Sequence, residues 1–357
     1  MKILYIAMKY DYGDPQRGFS FEHYNFYDSL VKMNNGSNEI VYFPFDEVAS
    51  KVGRDEMNKQ LLETARREKP DLCFFILFEN EIKRETIAEI GKITLTFNWF
   101  CDDHWRFEVF SRYYAPYFSW IATTDSKAVS KYYRSGYRNV IKTQWGCNHF
   151  IYKPQELPKI YDVTFVGQPH GNRKKIIEEL GKAGIEVKCW GKGWPNGRIS
   201  QEEMIQIFSQ SKINLNLTKC SDIINWKTPL KIFFRRVGGE VKFDLPNRWW
   251  GNLKSILGRR REQIKGRNFE IPGCGGFLLT SYADNLGDYY AIGREVVIYN
   301  NTNDLINKIR YYLEHQEERE SIAQAGYQRT LRDHTYEKRF NEIFNSIGLK
   351  TMNKNYE

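Results

Sequence analysis

Short apolar runs alternate along this chain with segments whose apolar residues recur every three or four positions. The run Ile3–Ala7 is followed by His23–Met33, in which Phe26, Leu30 and Met33 recur at helical spacing. Apolar runs of this length predict buried strands, and the second pattern predicts an amphipathic helix. Strands that alternate with helices form mostly parallel sheets covered on both faces, so the chain is predicted to be an α/β protein.

The alternation continues in two series, separated by the segment 153–158, which contains two prolines and has no periodicity. Further strands are predicted at 39–43, 72–78, 93–100, 120–124, 140–144, 162–166, 186–190 and 213–217. Further helices are predicted at 55–68, 172–183, 201–210, 305–314, 317–330 and 338–347. The pattern therefore predicts two doubly wound lobes that face each other across a cleft, with ligands beyond the carboxyl ends of the strands.

Composition agrees with two domains and excludes some classes of protein. A chain of 357 residues suits two lobes of about 150 residues each. Its longest apolar run, Leu72–Phe78, is far shorter than the roughly 18 residues of a membrane span. Lys9 interrupts the first apolar stretch too early for a signal peptide. Six cysteines without a C-x-x-C pair predict reduced thiols and a cytoplasmic protein.

Positive charge is concentrated in one segment. Residues 227–267 contain twelve Lys or Arg and three acidic residues, so this segment carries the whole +9 net charge of the chain. Its aromatic side chains and arginines suit an anionic membrane surface, and they also suit nucleic acid. A third interpretation is a flap packed on the second lobe with a solvated rim. All three stay open from the sequence.

A carboxylate precedes a glycine-rich stretch in Arg267–Thr280, where Glu270 is followed by Gly275 and Gly276. The pattern predicts a turn in which Glu270 accepts hydrogen bonds from both ribose hydroxyls. Glycines let backbone N–H groups approach a diphosphate without interference from a Cβ atom. Lys265 and Arg267 flank the turn and are predicted to meet the phosphates, the alternative being that they only continue the basic segment.

Three stretches carry a resemblance to a known family. They are Arg267–Thr280, Gly293–Val297 with Tyr299–Asn301, and Ile322–Gly326 leading to His334–Tyr336. In this order they resemble the CgeB-like branch of the glycosyl transferase group 1 superfamily. The resemblance implies a GT-B fold with a Rossmann-like acceptor-side domain (1–153) and a Rossmann-like nucleotide-sugar domain (159–335). It also implies that the last segment, 336–357, returns as a helix to the first domain. The basic segment departs from the family as an insertion at about 220–264.

The strand at 162–166 ends before Gly167, and the loop that follows leads through Arg173 into a helix N-terminus, a place that favours phosphate. The resemblance supports Arg173 as a diphosphate ligand; a solvated basic first turn is the alternative.

The position of Gly191, Gly193 and Trp194 in the family order implies that they hold the base of the nucleotide. The alternative is that Trp194 only covers the core. Glu262 precedes Glu270 at E-x7-E spacing, but a surface ion pair with the neighbouring arginines explains Glu262 better than a ligand role does.

Catalytic candidates lie in the first lobe. Asp102 and Asp103 follow a buried strand, where paired acids are costly unless they bind a ligand or stay solvated. The family places a functional Asp or His at this strand end, and one of the two acids is alternatively a helix cap. His23, after the first strand, is a candidate base with a pKa near neutrality. No metal is expected, because GT-B enzymes generally stabilise the leaving diphosphate without a bound cation.

The function predicted is a glycosyltransferase. A sugar would move from a nucleotide-diphosphate donor, UDP-linked, to a cell-surface glycan, a lipid-linked acceptor or a protein acceptor. The donor is a co-substrate, and no other cofactor is expected. A protein of this kind would be cytoplasmic and peripheral on the inner membrane face. The alternatives are a catalytically silent protein that binds a nucleotide sugar or glycan, and a nucleic-acid-binding protein that uses the basic insertion.

Overall fold

The computed structural model describes residues 1–218, 230–237 and 240–349, which form two compact units. The first unit comprises Met1–Gln144 together with the described residues from Tyr336 onward, and the second comprises Trp145–Thr335. The predicted linker 153–158 lies within the second unit and contains no helix or strand. Lys227 and the first part of the predicted insertion, 220–229, lie outside the described residues.

The first unit is built on a six-stranded, wholly parallel sheet in the order β2-β1-β3-β4-β5-β6. Its strands are β1 (Lys2–Ala7), β2 (Glu39–Pro44), β3 (Leu72–Phe75), β4 (Leu95–Phe100), β5 (Trp120–Thr123) and β6 (Val140–Lys142). Its helices are α1 (Asp28–Gly36), α2 (Phe45–Glu68), α3 (Arg84–Gly91), α4 (Asp103–Arg106), α5 (Arg112–Tyr114) and α6 (Ala128–Arg134), with π-helical turns at His23–Tyr27 and Phe107–Ser111. The central strands β3 and β4 are almost wholly buried, which explains their continuous apolar sequence.

The second unit has a five-stranded parallel sheet in the order β13-β12-β9-β7-β8 and a separate antiparallel hairpin, β10-β11. Its strands are β7 (Tyr161–Val166), β8 (Lys188–Trp190), β9 (Ser211–Asn216), β10 (Phe234–Val237), β11 (Glu240–Phe243), β12 (Leu278–Ser281) and β13 (Val297–Tyr299). Its helices are α7 (Arg173–Lys182), α8 (Gln201–Gln210), α9 (Leu230–Phe233), α10 (Pro246–Gly258), α11 (Arg267–Gly273), α12 (Leu286–Tyr289), α13 (Thr302–Glu314) and α14 (Gln316–Asp333). The prediction of two doubly wound α/β units is confirmed.

Helix α11 replaces the turn predicted around Glu270. The sequence Arg267–Gly273 contains Pro272 and a terminal glycine, which argued for a turn, yet six of its seven residues are buried. Tertiary packing of these buried polar and apolar side chains stabilises the helix despite its proline, since packing outweighs intrinsic helix propensity. Helix α2 also begins earlier than predicted, at Phe45, because the buried Phe45 side chain anchors a first segment that ends at Gly53 (φ 79°).

The last helix, α15 (Tyr336–Ser346), packs in the first unit. The ring of Phe340 lies 5.7 Å from those of both Phe26 and Phe74, and Glu337 accepts a hydrogen bond from the Asn34 N–H at 2.7 Å. These contacts bring the end of the chain onto helix α1 and the first sheet.

No helix among the described residues combines the length and the apolar character needed to cross a membrane.

Candidate functional site

Parallel strands of the second unit all end at one edge of the sheet, and polar side chains gather there. Asn216 ends β9, Thr280 and Ser281 end β12, and all three are buried. Ligands of open parallel sheets bind beyond this edge. The helix α11, which carries Glu270, is joined to this edge by Asn268, which accepts a hydrogen bond from Asn216 and donates one to Thr280.

The Glu270 carboxylate is fully buried and forms an ion pair with the Arg267 guanidinium one helical turn earlier. Burial alone would lower the pKa of Arg267, but the Glu270 charge beside it raises this pKa above its ordinary value. Among the described residues, the second carboxylate oxygen, Oε1, has no hydrogen-bond partner. A buried oxygen of this kind is costly unless a ligand or water satisfies it. Glu270 is therefore the strongest ligand-binding candidate in the second unit.

Residues beside Glu270 hold its helix in place. Asn268 is fully buried, and its Oδ1 accepts hydrogen bonds from Asn216 Nδ2 and the Lys265 N–H, each at 3.0 Å. The ring of Phe269 packs against those of Tyr289, Tyr290 and His334 at 5.6 to 5.9 Å. The stretch resembling the family at His334 thus supports the helix that carries Glu270.

The roles predicted for Gly275 and Gly276 need a correction. The Gly275 N–H donates to the Pro272 carbonyl at 2.8 Å, and the Gly276 N–H donates to the Ile271 carbonyl at 3.0 Å. Gly275 has φ +68°, and a Cβ on Gly276 would come within 2.8 Å of Asn214 Nδ2. Both N–H groups are used to end α11, as at helix C-termini generally, so the predicted phosphate cradle is wrong.

Gly167, Gly191 and Gly193 bring two loops into close contact. A Cβ on Gly191 (φ +133°) would clash with the Gly167 carbonyl, and one on Gly193 (φ +101°) would lie 2.9 Å from Pro169. The Trp194 indole N–H donates to the same Gly167 carbonyl at 2.8 Å, and the ring packs against Phe165 in the core. Of the two roles open for Trp194, the structure shows the core cover, so its predicted contact with a base is corrected. Gly191 and Gly193 allow the same close contact with the loop that contains Gly167.

Arg173 begins helix α7, as predicted, but its guanidinium contacts main chain. Its Nε donates to the Leu217 carbonyl and its Nη1 to the Gln168 carbonyl, both at 2.8 Å, and it lies over the Phe165 ring. The side chain therefore joins the loops after β7 and β9 at the ligand edge. Its positive charge lies at this edge, where it can act on a ligand through space.

The two other basic candidates differ in their contacts. Arg267 pairs with Glu270 rather than standing free for phosphate, and its guanidinium also lies over the Phe208 ring. Lys265 is half-buried immediately before α11. Glu262 is likewise half-buried, and the neighbouring Arg261 pairs with Asp284 at 2.8 Å. The structure thus gives Arg261 a partner other than Glu262.

In the first unit, Asp103 is buried in the interior. Its Oδ2 accepts a hydrogen bond from the Tyr132 hydroxyl at 2.8 Å, which joins α4 to α6. Burial raises the pKa of Asp103 to about 6, against hydrogen bonds from Ser111, Thr123 and Tyr132 that favour the charged form. Its other oxygen, Oδ1, has no hydrogen-bond partner among the described residues, as is also true of Glu270 Oε1. The Tyr132 contact gives Asp103 a structural role, and its catalytic role stays a prediction.

Asp102 remains accessible and has acidic neighbours. It is about one third exposed, at the end of β4, and its Oδ1 lies 4.0 Å from His104 Nδ1. The charges of Asp11 and Asp102 add to burial in raising the pKa of Glu22, which follows the loop after β1. Asp11 and Asp102 therefore each lie near Glu22, in the segments that follow β1 and β4. Glu22 was missed because the adjacent His23 seemed the better base.

His23 is half-buried in an aromatic cluster. Its ring stacks on Phe19 at 4.2 Å and lies 5.2 Å from Tyr27 and 5.9 Å from Tyr42. Burial and the charge of Lys9 lower the pKa of His23 below its ordinary value. A lowered pKa favours the neutral imidazole, which is the form that a general base needs, so the role of His23 stays a prediction.

Within the described part of the chain, no three His, Cys, Asp or Glu side chains are grouped so that they could hold a metal ion.

Comparison with known proteins gives a partial family match, one distant relative and a fold. A family model described as "Glycosyl transferase-like" matches residues 173–234 and 245–345, and the unmatched stretch between them contains most of the β10-β11 hairpin. The spore protein CgeB of Bacillus subtilis is 22% identical over 221 residues, which are 61% of this chain. That match spans 64% of the relative, slightly less than two thirds of its length.

Solved structures share the fold at low sequence identity. Sucrose-phosphate synthase from Thermosynechococcus elongatus has a TM-score of 0.62 at 10% identity, covering 98% of this chain and 99% of that one. Anabaena HepE in complex with UDP and glucose has a TM-score of 0.58 at 12% identity, covering 97% and 100%. The family model, the curated relative and the shared GT-B fold all agree with the resemblance to CgeB-like glycosyltransferases.

Proposed function

We propose that this chain transfers a sugar from a UDP-sugar to an acceptor hydroxyl. The observation that carries the proposal is the buried Glu270 carboxylate, which has one oxygen paired with Arg267 and the other without a partner among the described residues. Evolution rarely retains such an oxygen without a ligand, because its desolvation is uncompensated. A nucleotide ribose supplies two hydroxyl donors of the kind this oxygen needs.

In the proposed complex, Glu270 binds the ribose and Arg267 orients it. The ion pair fixes one carboxylate oxygen, so that Oε1 presents its lone pairs in a defined direction. The helix is held by Asn268 and Phe269, which limits the freedom of the carboxylate before binding. Preorganisation of this kind lowers the entropic cost of binding.

Lys265 and Arg173 are proposed to act on the diphosphate. During transfer, the bond between the anomeric carbon and the diphosphate oxygen breaks and its electron pair stays on the diphosphate. Cations held in place before reaction stabilise this developing charge most effectively. The Arg173 guanidinium is held by two carbonyls, and the Lys265 main chain is held next to the Glu270 helix by Asn268, so both residues lie close to the ribose site.

On the acceptor side we assign Asp102 and Glu22. Asp102 is accessible, and the pKa of Glu22 is raised by burial and by its acidic neighbours, which suits proton transfer. The acceptor hydroxyl would form the new glycosidic bond and lose its proton to one of these carboxylates. A cell-surface glycan, a lipid-linked sugar or a protein hydroxyl provides the same chemistry.

The comparisons support the donor class. Two of the similar structures are Anabaena HepE with UDP and glucose and HepE with UDP-glucose, both at 12% identity. They carry the same fold, and a UDP-sugar is therefore the first donor to test. The matched region of CgeB covers only part of that relative, so its own role is not transferred.

A thermal-shift panel of UDP, GDP, dTDP and their glucose derivatives tests the donor, because a ligand that binds only the native state raises its stability. UDP at one hundred times its Kd adds about 2.7 kcal/mol of stability, and we expect UDP to exceed GDP and dTDP. Slow hydrolysis of UDP-glucose, followed by UDP release, tests transfer chemistry. No stabilisation by any nucleotide at millimolar concentration would remove the proposal.

A catalytically silent binding protein is the second candidate. Asp103 is fully buried and the His23 ring is stacked on Phe19, so neither side chain is freely accessible to an acceptor. Such a protein would bind UDP but would not release it from UDP-glucose. Turnover that falls at least tenfold in Asp102→Asn, with UDP binding unchanged, favours the enzyme; binding without any turnover favours the silent protein.

A further inference from the structure

The insertion in the second unit exposes a set of large apolar side chains. Phe243, Leu245, Trp250 and Leu257 are 62%, 57%, 65% and 51% exposed, and we call them the insertion surface. They lie on hairpin strand β11, on the turn after it and on helix α10. Single exposed apolar residues are common on proteins, but four in one short subdomain indicate an interaction site.

The packing of α10 fixes which face points outward. Trp249 turns inward, with its ring 4.9 Å from that of Phe233 and its indole N–H donating to the Asp244 carbonyl at 3.0 Å. Asn252 donates to the Ile232 carbonyl at 2.9 Å. Trp250 and Leu257 lie seven residues apart on the opposite face, so both are exposed by helix geometry.

Positive charge surrounds the insertion surface. Residues 230–261 contain nine Lys or Arg and two acidic residues, and one of the acids, Asp244, is buried. Among the described side chains of this range, exposed cations are Lys231, Lys242, Arg248, Lys254, Arg259 and Arg260. The Lys254 ammonium lies 5.6 Å from the centre of the Trp250 ring, so charge and apolar surface adjoin directly.

We propose that the insertion surface docks on an anionic lipid bilayer. Trp and Leu on one face of a short helix, with Lys and Arg at its margins, match a helix that lies in the membrane interface. The 13 residues of α10 extend about 20 Å, which suits lying along the surface. Leu245 and Leu257 favour hydrocarbon over nucleic acid, because aliphatic side chains offer no ring for base stacking.

This docking is independent of nucleotide binding. The insertion surface contains none of the residues assigned to the donor. The family model leaves out residues 235–244 and resumes at 245, so Phe243 lies outside the matched residues and the other three side chains lie within them. Loss of membrane binding should therefore leave UDP binding intact, and loss of UDP binding should leave membrane binding intact.

Co-sedimentation of the full chain with vesicles tests the proposal. We expect at least tenfold stronger partitioning to vesicles of phosphatidylcholine with 30% phosphatidylglycerol than to pure phosphatidylcholine, and weakening at 0.5 M salt. Trp250→Ser with Leu257→Ser should reduce partitioning at least tenfold, and Arg259→Gln with Arg260→Gln at least threefold. Ile160→Ser, at a position 57% exposed elsewhere in the second unit, is the matched control and should bind like the unmodified chain.

Circular dichroism and the UDP-induced thermal shift establish that each variant is folded. The proposal is overturned if the chain does not sediment with anionic vesicles at low salt, or if the double Ser variant sediments unchanged. It is also overturned if the same variant instead loses binding to a 30-nucleotide RNA, or loses self-association in analytical ultracentrifugation, while vesicle binding persists. A folded double variant that has lost only vesicle binding supports the proposal.

Discussion

Replacing Glu270 with Gln removes the negative charge and keeps the size of the side chain. In the structure the carboxylate is fully buried, pairs with Arg267 and leaves Oε1 without a partner among the described residues. The amide can still accept one hydrogen bond, but it binds the ribose hydroxyls without the assistance of charge. The substitution therefore separates the charge of Glu270 from its shape.

The expected size follows from these contacts. Hydrogen bonds to charged groups contribute about 1.5–3 kcal/mol, so the lost charge should cost about 2 kcal/mol of binding, or roughly thirtyfold in Kd. Stability should also fall. Removing one partner of a fully buried pair costs about 3–5 kcal/mol, but Arg267 is 30% exposed and water can solvate it. We expect a loss of about 2 kcal/mol, which leaves the chain folded.

Calorimetric titration with UDP measures the Kd, and urea unfolding measures the stability. Glu178→Gln, an exposed glutamate of the same unit, controls for the loss of a charge and should change neither quantity. Adding Arg267→Met to Glu270→Gln removes the unpaired cation, so stability should recover while UDP binding stays weak. A Kd within threefold of the unmodified value in Glu270→Gln would refute the ribose assignment.

Two further predictions concern stability. The folded pKa of Asp103, about 6, lies above its ordinary value, so the protonated carboxyl stabilises the fold fully below pH 4 and this contribution is lost as pH rises through 6. Urea unfolding measures the free energy of unfolding of the unmodified chain and of Asp103→Asn at each pH. Between pH 4 and 7 the unmodified chain should lose about 3 kcal/mol relative to the variant, and a difference that does not change with pH would contradict the burial argument. Gly326→Ala should destabilise the chain by about 2 kcal/mol, since its Cβ would collide with the Glu295 carbonyl. Gly181→Ala, another helical glycine but with open space around it, should stabilise by about 0.5–1 kcal/mol, and equal effects at both sites would disprove the steric reason.

Much of the fold could be predicted because strand burial leaves a direct trace in the sequence. Runs such as Leu72–Phe75 are apolar on both faces, and helix α8 has its predicted bounds, Gln201–Gln210, with a Ser200 capping box at its start. Helix α11 could not be predicted from local pattern. Its proline and glycines indicate a turn, and only the packing of Phe269 and Asn268 stabilises the helix.

The candidate site was likewise predictable only in part. Glu270 was predicted from its place before a glycine-rich strand, and it lies at the expected sheet edge. The sequence could not show that Gly275 and Gly276 donate their N–H groups to α11, or that Asp103 rather than Asp102 turns inward. Adjacent side chains at the end of a strand point in different directions. Which of them is buried depends on partners distant in sequence, such as Tyr132, which donates to Asp103.

Helix α15 has a consequence for the order in which the protein is made. Its Phe340 and Glu337 complete a core begun by Phe26 and Asn34, about three hundred positions earlier in the chain. A ribosome therefore releases the whole second unit before the first can close. Until then the rings of Phe26 and Phe74 stay uncovered on the nascent chain, where chaperones bind and proteases cleave. Premature termination before Tyr336 would damage the beginning of the molecule rather than its end.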